Sequence, residues 1–125
     1  MSNDVLKYIK DQLIEAGINY EFDEWTKDVV YPYFTGEYTE PEVSQESGEH
    51  EIDFILNGFS RGENARLALE NARETIEQLF TFNTSILPNG SGIDVSYFGS
   101  LIVPTGDSEI KRTQINLKIK EWKVN

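Results

Sequence analysis

An α+β fold, with two helices laid on one face of an antiparallel-rich sheet, is what this 125-residue sequence predicts. Two segments carry apolar residues at spacings of three and four, the mark of an amphipathic helix. Four others alternate apolar with polar residues, the mark of a half-buried strand. Their order along the chain, α-β-β-α-β-β, gives a two-layer arrangement of helices on sheet.

Ser2 and Asn3 can cap the first helix, expected over 4–16, whose apolar positions are Val5, Leu6, Ile9, Leu13 and Ala16. Gly17 is placed to end it. Trp25, Val29, Tyr31 and Tyr33 fall on odd positions, so a first strand is expected there, made irregular or placed at an edge by Pro32 and ending near Thr35 and Gly36. Residues 36–50 hold Gly, Pro, Ser and five Glu with almost nothing to bury, and read as a long acidic connection. A second strand places Ile52, Phe54 and Leu56 on one side.

Ser60-Arg61-Gly62-Glu63 matches a capping box, and the helix it would open carries Ala65, Leu69, Ala72, Ile76, Leu79 and Phe80 as one stripe. Arg66 is expected to face Glu70, and Arg73 to face Glu77, on the wet side. A turn over Pro88-Asn89-Gly90-Ser91-Gly92 leads to a strand with Ile93, Val95, Tyr97, Leu101 and Val103 on its apolar side and a bend at Gly99. Pro104-Thr105-Gly106-Asp107 reads as a hairpin loop. In the last strand Ile115, Leu117 and Ile119 point inward while Gln114, Asn116, Lys118 and Lys120 point outward.

At this length a single domain over 1–125 is expected, able to bury roughly two thirds of the surface its unfolded chain exposes. Seven Phe, six Tyr and two Trp supply large buried areas, and the absence of cysteine removes disulfide frameworks, thiol catalysis and thiolate metal sites together. Met1–Lys10 lacks the pattern of a secretory leader, and nowhere do about 18 apolar residues run together, so neither that export route nor a membrane span is expected. With a net charge of −11, direct nucleic-acid binding is not expected either, since phosphate contacts need clustered Lys and Arg.

Charge is unevenly spread. Glu37, Glu40, Glu42, Glu46, Glu49, Glu51 and Asp53 cluster in one stretch, against Lys111, Arg112, Lys118, Lys120 and Lys123 near the far end. From Ile110 to Asn125 the balance is +4, leaving −15 on the rest of the chain. Two such poles suit a surface made for a protein partner, because complementary potentials steer and orient encounters. The expected subunit contact is therefore Lys111, Arg112, Gln114, Asn116, Lys118 and Lys120, although lysines of this kind also solubilise edge strands. The expected contact with a different protein is Glu37, Tyr38, Glu40, Glu42, Glu46 and Glu49. The aromatic run Tyr31-Pro32-Tyr33-Phe34 is too dense for a strand with one wet face, and packs in the core, under the acidic segment or against a neighbour.

Candidate chemistry is sparse. His50 is the single histidine, so no His pair is available for zinc, and its acidic neighbours favour a solvated role. Glu51 and Asp53 share a strand face, where two carboxylates can hold a divalent ion or divide acid and base duties; a solvated acidic edge is the simpler use. Gly90 and Gly92 form only a G-x-G fragment with no helix after it, which suits a turn and not a phosphate cradle. No cofactor is expected.

Three segments carry a resemblance: Val30-Tyr31-Pro32-Tyr33-Phe34-Thr35-Gly36-Glu37-Tyr38, Phe54-Ile55-Leu56-Asn57-Gly58-Phe59-Ser60-Arg61-Gly62, and Pro104-Thr105-Gly106 through Glu121-Trp122. Together with the element order, they resemble the tail terminator and tail-completion proteins of phages and prophages of Gram-positive bacteria. The resemblance implies a non-enzymatic protein that forms a hexameric ring on the tail tube and offers a surface to the head connector. It also implies a location in the virion tail or neck, with assembly in the host cytoplasm. Another neck, head-completion or minor tail protein is an alternative, as is an acidic DNA mimic that inhibits a nuclease or repressor. A metal-dependent hydrolase using His50, Glu51 and Asp53 is the enzymatic rival.

Overall fold

The computed structural model describes residues 2–40 and 49–123. These residues form an α+β fold of two helices and one mixed six-stranded sheet: α1 (Asn3–Glu15), β1 (Tyr20–Phe22), β2 (Tyr33–Thr39), β3 (Glu49–Arg61), α2 (Ala65–Leu79), β4 (Asn83–Ile86), β5 (Ser91–Val103) and β6 (Ile110–Lys123). The strands lie in the order β1-β2-β3-β6-β5-β4. All neighbours are antiparallel except β1 and β2, which run parallel.

Local chemistry explains the helix ends. Ser2 Oγ accepts from Val5 N–H at 3.3 Å and caps α1. At the other end Gly17 adopts φ +83°, and its N–H reaches the Ile14 carbonyl while the Ile18 N–H reaches Leu13. That pair of bonds is a Schellman stop, closed by Leu13 and Ile18 in the core. The expected capping box at α2 does not form: Ser60 is buried inside β3, and α2 begins at Ala65 after a turn closed by Ala65 N–H on the Gly62 carbonyl. Pairing of β3 with β6 runs to Arg61, and that ladder takes Ser60 from the helix.

The element order differs from α-β-β-α-β-β by two short strands, β1 and β4, of three and four residues. Neither is long enough to show a period. The first expected strand lies later than its aromatic alternation suggested: β2 starts at Tyr33, and Glu21 instead holds the preceding turn through Thr26 N–H and Oγ1 at 2.8 and 2.9 Å. The acidic connection is also shorter than expected, because Gly36–Thr39 belongs to β2 and Glu49 and His50 to β3. Residues 41–48 lie outside the described part.

One face of the sheet carries the core. Ile52, Phe54 and Leu56 of β3, Ile115, Leu117 and Ile119 of β6, and Ile93 and Val95 of β5 are buried against Val5, Ile9 and Leu13 of α1 and Leu69, Ala72 and Ile76 of α2. The expected helical stripes and inward strand positions therefore hold as far as Tyr97. Beyond it a bulge at Gly99, with φ +102°, shifts the register by one, so Ser100 meets Ile115 and Ile102 meets Thr113. That shift moves Leu101 and Val103 to the outer face, opposite Gln114 and Arg112, and corrects their expected inward placement. Arg66, expected beside Glu70, donates to Thr113 Oγ1 at 3.0 Å; Arg73 does pair with Glu77 at 2.7 Å.

Candidate functional site

Among the described residues the second face of the sheet carries no helix, and the two central strands, β3 and β6, present it. Their register puts Phe59 beside Arg112, Asn57 beside Gln114, Ile55 beside Asn116, Asp53 beside Lys118 and Glu51 beside Lys120. Because side chains alternate along a strand, five of the six expected subunit-contact residues share this face: Arg112, Gln114, Asn116, Lys118 and Lys120. Lys111 does not; it pairs with Ser60 on the helix side, next to Arg66 and Ile102.

One end of this face is aromatic. Trp25 and Tyr31 lie 5.0 and 5.8 Å from Tyr33, measured between ring centroids, and Tyr33 stacks on Phe59 at 5.2 Å. The Arg112 guanidinium lies over Phe59 at 5.5 Å and donates from Nη2 to Asn57 Oδ1 at 2.8 Å. Asn57 in turn reaches Glu37, at 3.4 Å. The alternation read as a strand thus serves a surface stack. Large rings here have an apolar body and a polar rim, the composition that contact surfaces favour.

The other end is charged. Lys118 Nζ lies 3.0 Å from Asp53 and 3.2 Å from Glu51, and sits over the Phe98 ring at 5.1 Å. Its pKa is raised, first by the hydrogen bond to Asp53 and then by that to Glu51. A groove of about 370 Å³ runs beside it, lined by Thr39, Asp53, Ile55, Phe98, Asn116 and Lys118.

This pairing revises the two-pole picture. Acidic residues of β3 and basic residues of β6 are neighbours in space, so the opposed charges partly satisfy each other within one molecule. They also take Glu51 and Asp53 away from His50, which points to the opposite face by strand alternation. The trio envisaged for a hydrolase is therefore not assembled, and among the described residues no three His, Cys, Asp or Glu side chains form a group able to hold a metal ion.

The expected contacts of the acidic stretch scatter. Glu37 lies on the outer face of β2, Tyr38 faces the other way and stacks on Phe22, Glu40 is exposed just past β2, and Glu49 opens β3 opposite Trp122. Glu42 and Glu46 lie outside the described residues. Sequence reasoning missed Phe59, Phe98 and Trp122 as surface-face residues. The Trp122 ring occupies the space a Cβ at Gly92 would need, and Gly92 belongs to β5 and not to the expected turn. No described helix is long and apolar enough to cross a membrane.

No family model and no curated protein matches the chain. In structure it is similar to a solved protein whose name states no function. The alignment covers 100% of this chain and 99% of the other, with a TM-score of 0.67 and 12% sequence identity. At that identity the likeness shows a shared fold alone.

Proposed function

We infer that this protein is a non-enzymatic assembly component of a phage or prophage virion, a terminator or completion protein that caps the tail tube as a ring and joins it to the head connector. The observation that carries this is the sheet face left without a helix among the described residues, a broad polar and aromatic surface. A protein that works at a junction needs such a face to lie on its neighbour. The resemblance of the segments around Tyr31–Tyr38, Phe54–Gly62 and Pro104–Trp122 to tail terminator proteins supports the same role.

β6 lies in the middle of the sheet, not at an edge. Its outward Gln114, Asn116, Lys118 and Lys120 therefore suit stacking on a tube or connector protein, and ring closure falls to other surfaces. A closed ring needs a heterologous contact, two different patches that meet around a rotation axis. Native mass spectrometry in dilute salt and at several times physiological salt, with and without tube protein, is the test. A ring of about six copies is expected in at least one condition; a monomer in all of them defeats the proposal.

A further inference from the structure

β4 pairs only with residues 92–95 of β5, so the outer edge of β5 from Phe98 to Val103 has no strand beside it among the described residues. Phe98, Leu101 and Ile102 are exposed along it, and no charged residue occurs from Val95 to Gly106. In a chain with 26% charged residues that is a long neutral edge. Isolated edges are normally blunted by lysine, proline or a covering element, and this one has a single bulge.

The opposite edge of the sheet has the matching shape. β1 protrudes there, and the registers place it in a definite row: Tyr20 lies in line with Phe34, Gly58, Thr113 and Ile102, and Phe22 in line with Gly36, Leu56, Ile115 and Ser100. Each edge thus steps out where the other steps in. Strand direction also agrees: β1 is parallel to β2, and three antiparallel pairings then make it antiparallel to β5. A second copy set alongside in the same orientation brings its β1 antiparallel to the bare edge.

The two edges also differ in net charge. Beside the edge a groove is lined by Arg66, Ile102, Pro104, Asp107 and Lys111, with one more cation than anions. β1 and the turn after it carry Glu21, Asp23, Glu24 and Asp28 against Lys27, a net −3.

Resting on the ring-forming role above, we propose that the bare edge of β5 receives β1 and its acidic turn from a second copy, so that the sheet continues from subunit to subunit around the ring. Strand addition of this kind gains affinity from main-chain hydrogen bonds and register from flanking side chains. A head-to-tail contact of unlike edges closes by rotation, as a ring requires.

Two variants test it by native mass spectrometry, each first shown by thermal melting to fold. Ile102→Asp puts an anion into the apolar β5 edge, in the row of Tyr20, and Glu24→Lys with Asp28→Lys reverses the charge of the turn. Each alone is expected to lose oligomer by about tenfold or more, the scale of a charge left unpaired or reversed at an interface. Mixed, the two have one intact β5 edge and one intact β1 between them, so a dimer forms and nothing larger. If the wild type assembles and both variants assemble equally well, the edge assignment falls while the ring role stands. Loss of tube-protein binding by Ile102→Asp with the ring intact also overturns it, in favour of a foreign strand at this edge. If the wild type never assembles, both fall.

Discussion

The two faces of this sheet are made by the same strands and obey opposite rules. On the helix side Phe34, Phe54, Leu56, Ile115, Leu117 and Ile119 are buried almost completely, and fit decides what is allowed. Gly58 shows how tight that fit is: a Cβ there would run into the Phe34 ring, and one at Gly36 would stand 2.5 Å from Tyr20 Oη. On the bare side the contacts are ring stacks, side-chain hydrogen bonds and ion pairs that solvent reaches, such as Lys118 between Asp53 and Glu51. The contrast teaches that stability and interaction are carried by alternate residues of one strand, so a neighbouring pair of substitutions separates them.

The largest effect is expected at Phe54. Phe54→Ala removes a fully buried ring from beneath the helices, and a loss of about 3–5 kcal/mol is expected in chemical denaturation. A loss under about 1 kcal/mol would break the comparison, because it would mean that the helix side is not the core. Gly58→Ala comes next. Overpacking onto Phe34 is expected to cost about 1–3 kcal/mol, read from the same unfolding curves, although the change adds only one methyl group.

Tyr20 sharpens the contrast from the other direction. Its hydroxyl is buried with no hydrogen-bond partner among the described residues, and burial raises its pKa above the ordinary value of 10.0. Above pH 10.0 the unfolded phenol ionises while the folded one resists, so stability is whole below that pH and is lost as pH rises beyond it. Tyr20→Phe removes an unpaired polar group from the core. A gain on the order of 1 kcal/mol is expected at neutral pH, with a flatter alkaline limb in melting experiments.

The smallest folding effect belongs to the bare side. Lys118 is 33% exposed and its partners Glu51 and Asp53 are 41% and 50% exposed, so water competes for all three. Lys118→Met is expected to leave the melting temperature unchanged within error while weakening association with tube protein in a pull-down titration. A large drop in melting temperature would show that the outer face, too, is structural.

Much of the inner face was legible beforehand. The stripe Val5, Ile9, Leu13, the stripe Leu69, Ala72, Ile76 and the alternation Ile115, Leu117, Ile119 each point one way, because helix and strand periods force their side chains onto one surface. The outer face was legible only in part. Gln114, Asn116, Lys118 and Lys120 were placed outward correctly, but their partners Asp53 and Glu51 lie more than sixty positions away, at a register no local pattern encodes. The aromatic alternation of Trp25, Tyr31 and Tyr33 misled for a related reason. Rings spaced by two can line a strand or stack over a neighbouring one, and only the position of Phe59 decides between them.

Sequence by itself thus determined what is local: the capped helix at Ser2, its stop at Gly17, the bend at Gly99, and which residues turn away from water. Periodicity and backbone freedom act over a few residues, and a chain cannot hide them. Tertiary structure decided what is distant: the insertion of β6 between β3 and β5, the meeting of acidic and basic residues on one face, the short edge strands, and the bare edge left at β5. Those depend on which strands pair and in what register. That choice is made by the whole core at once.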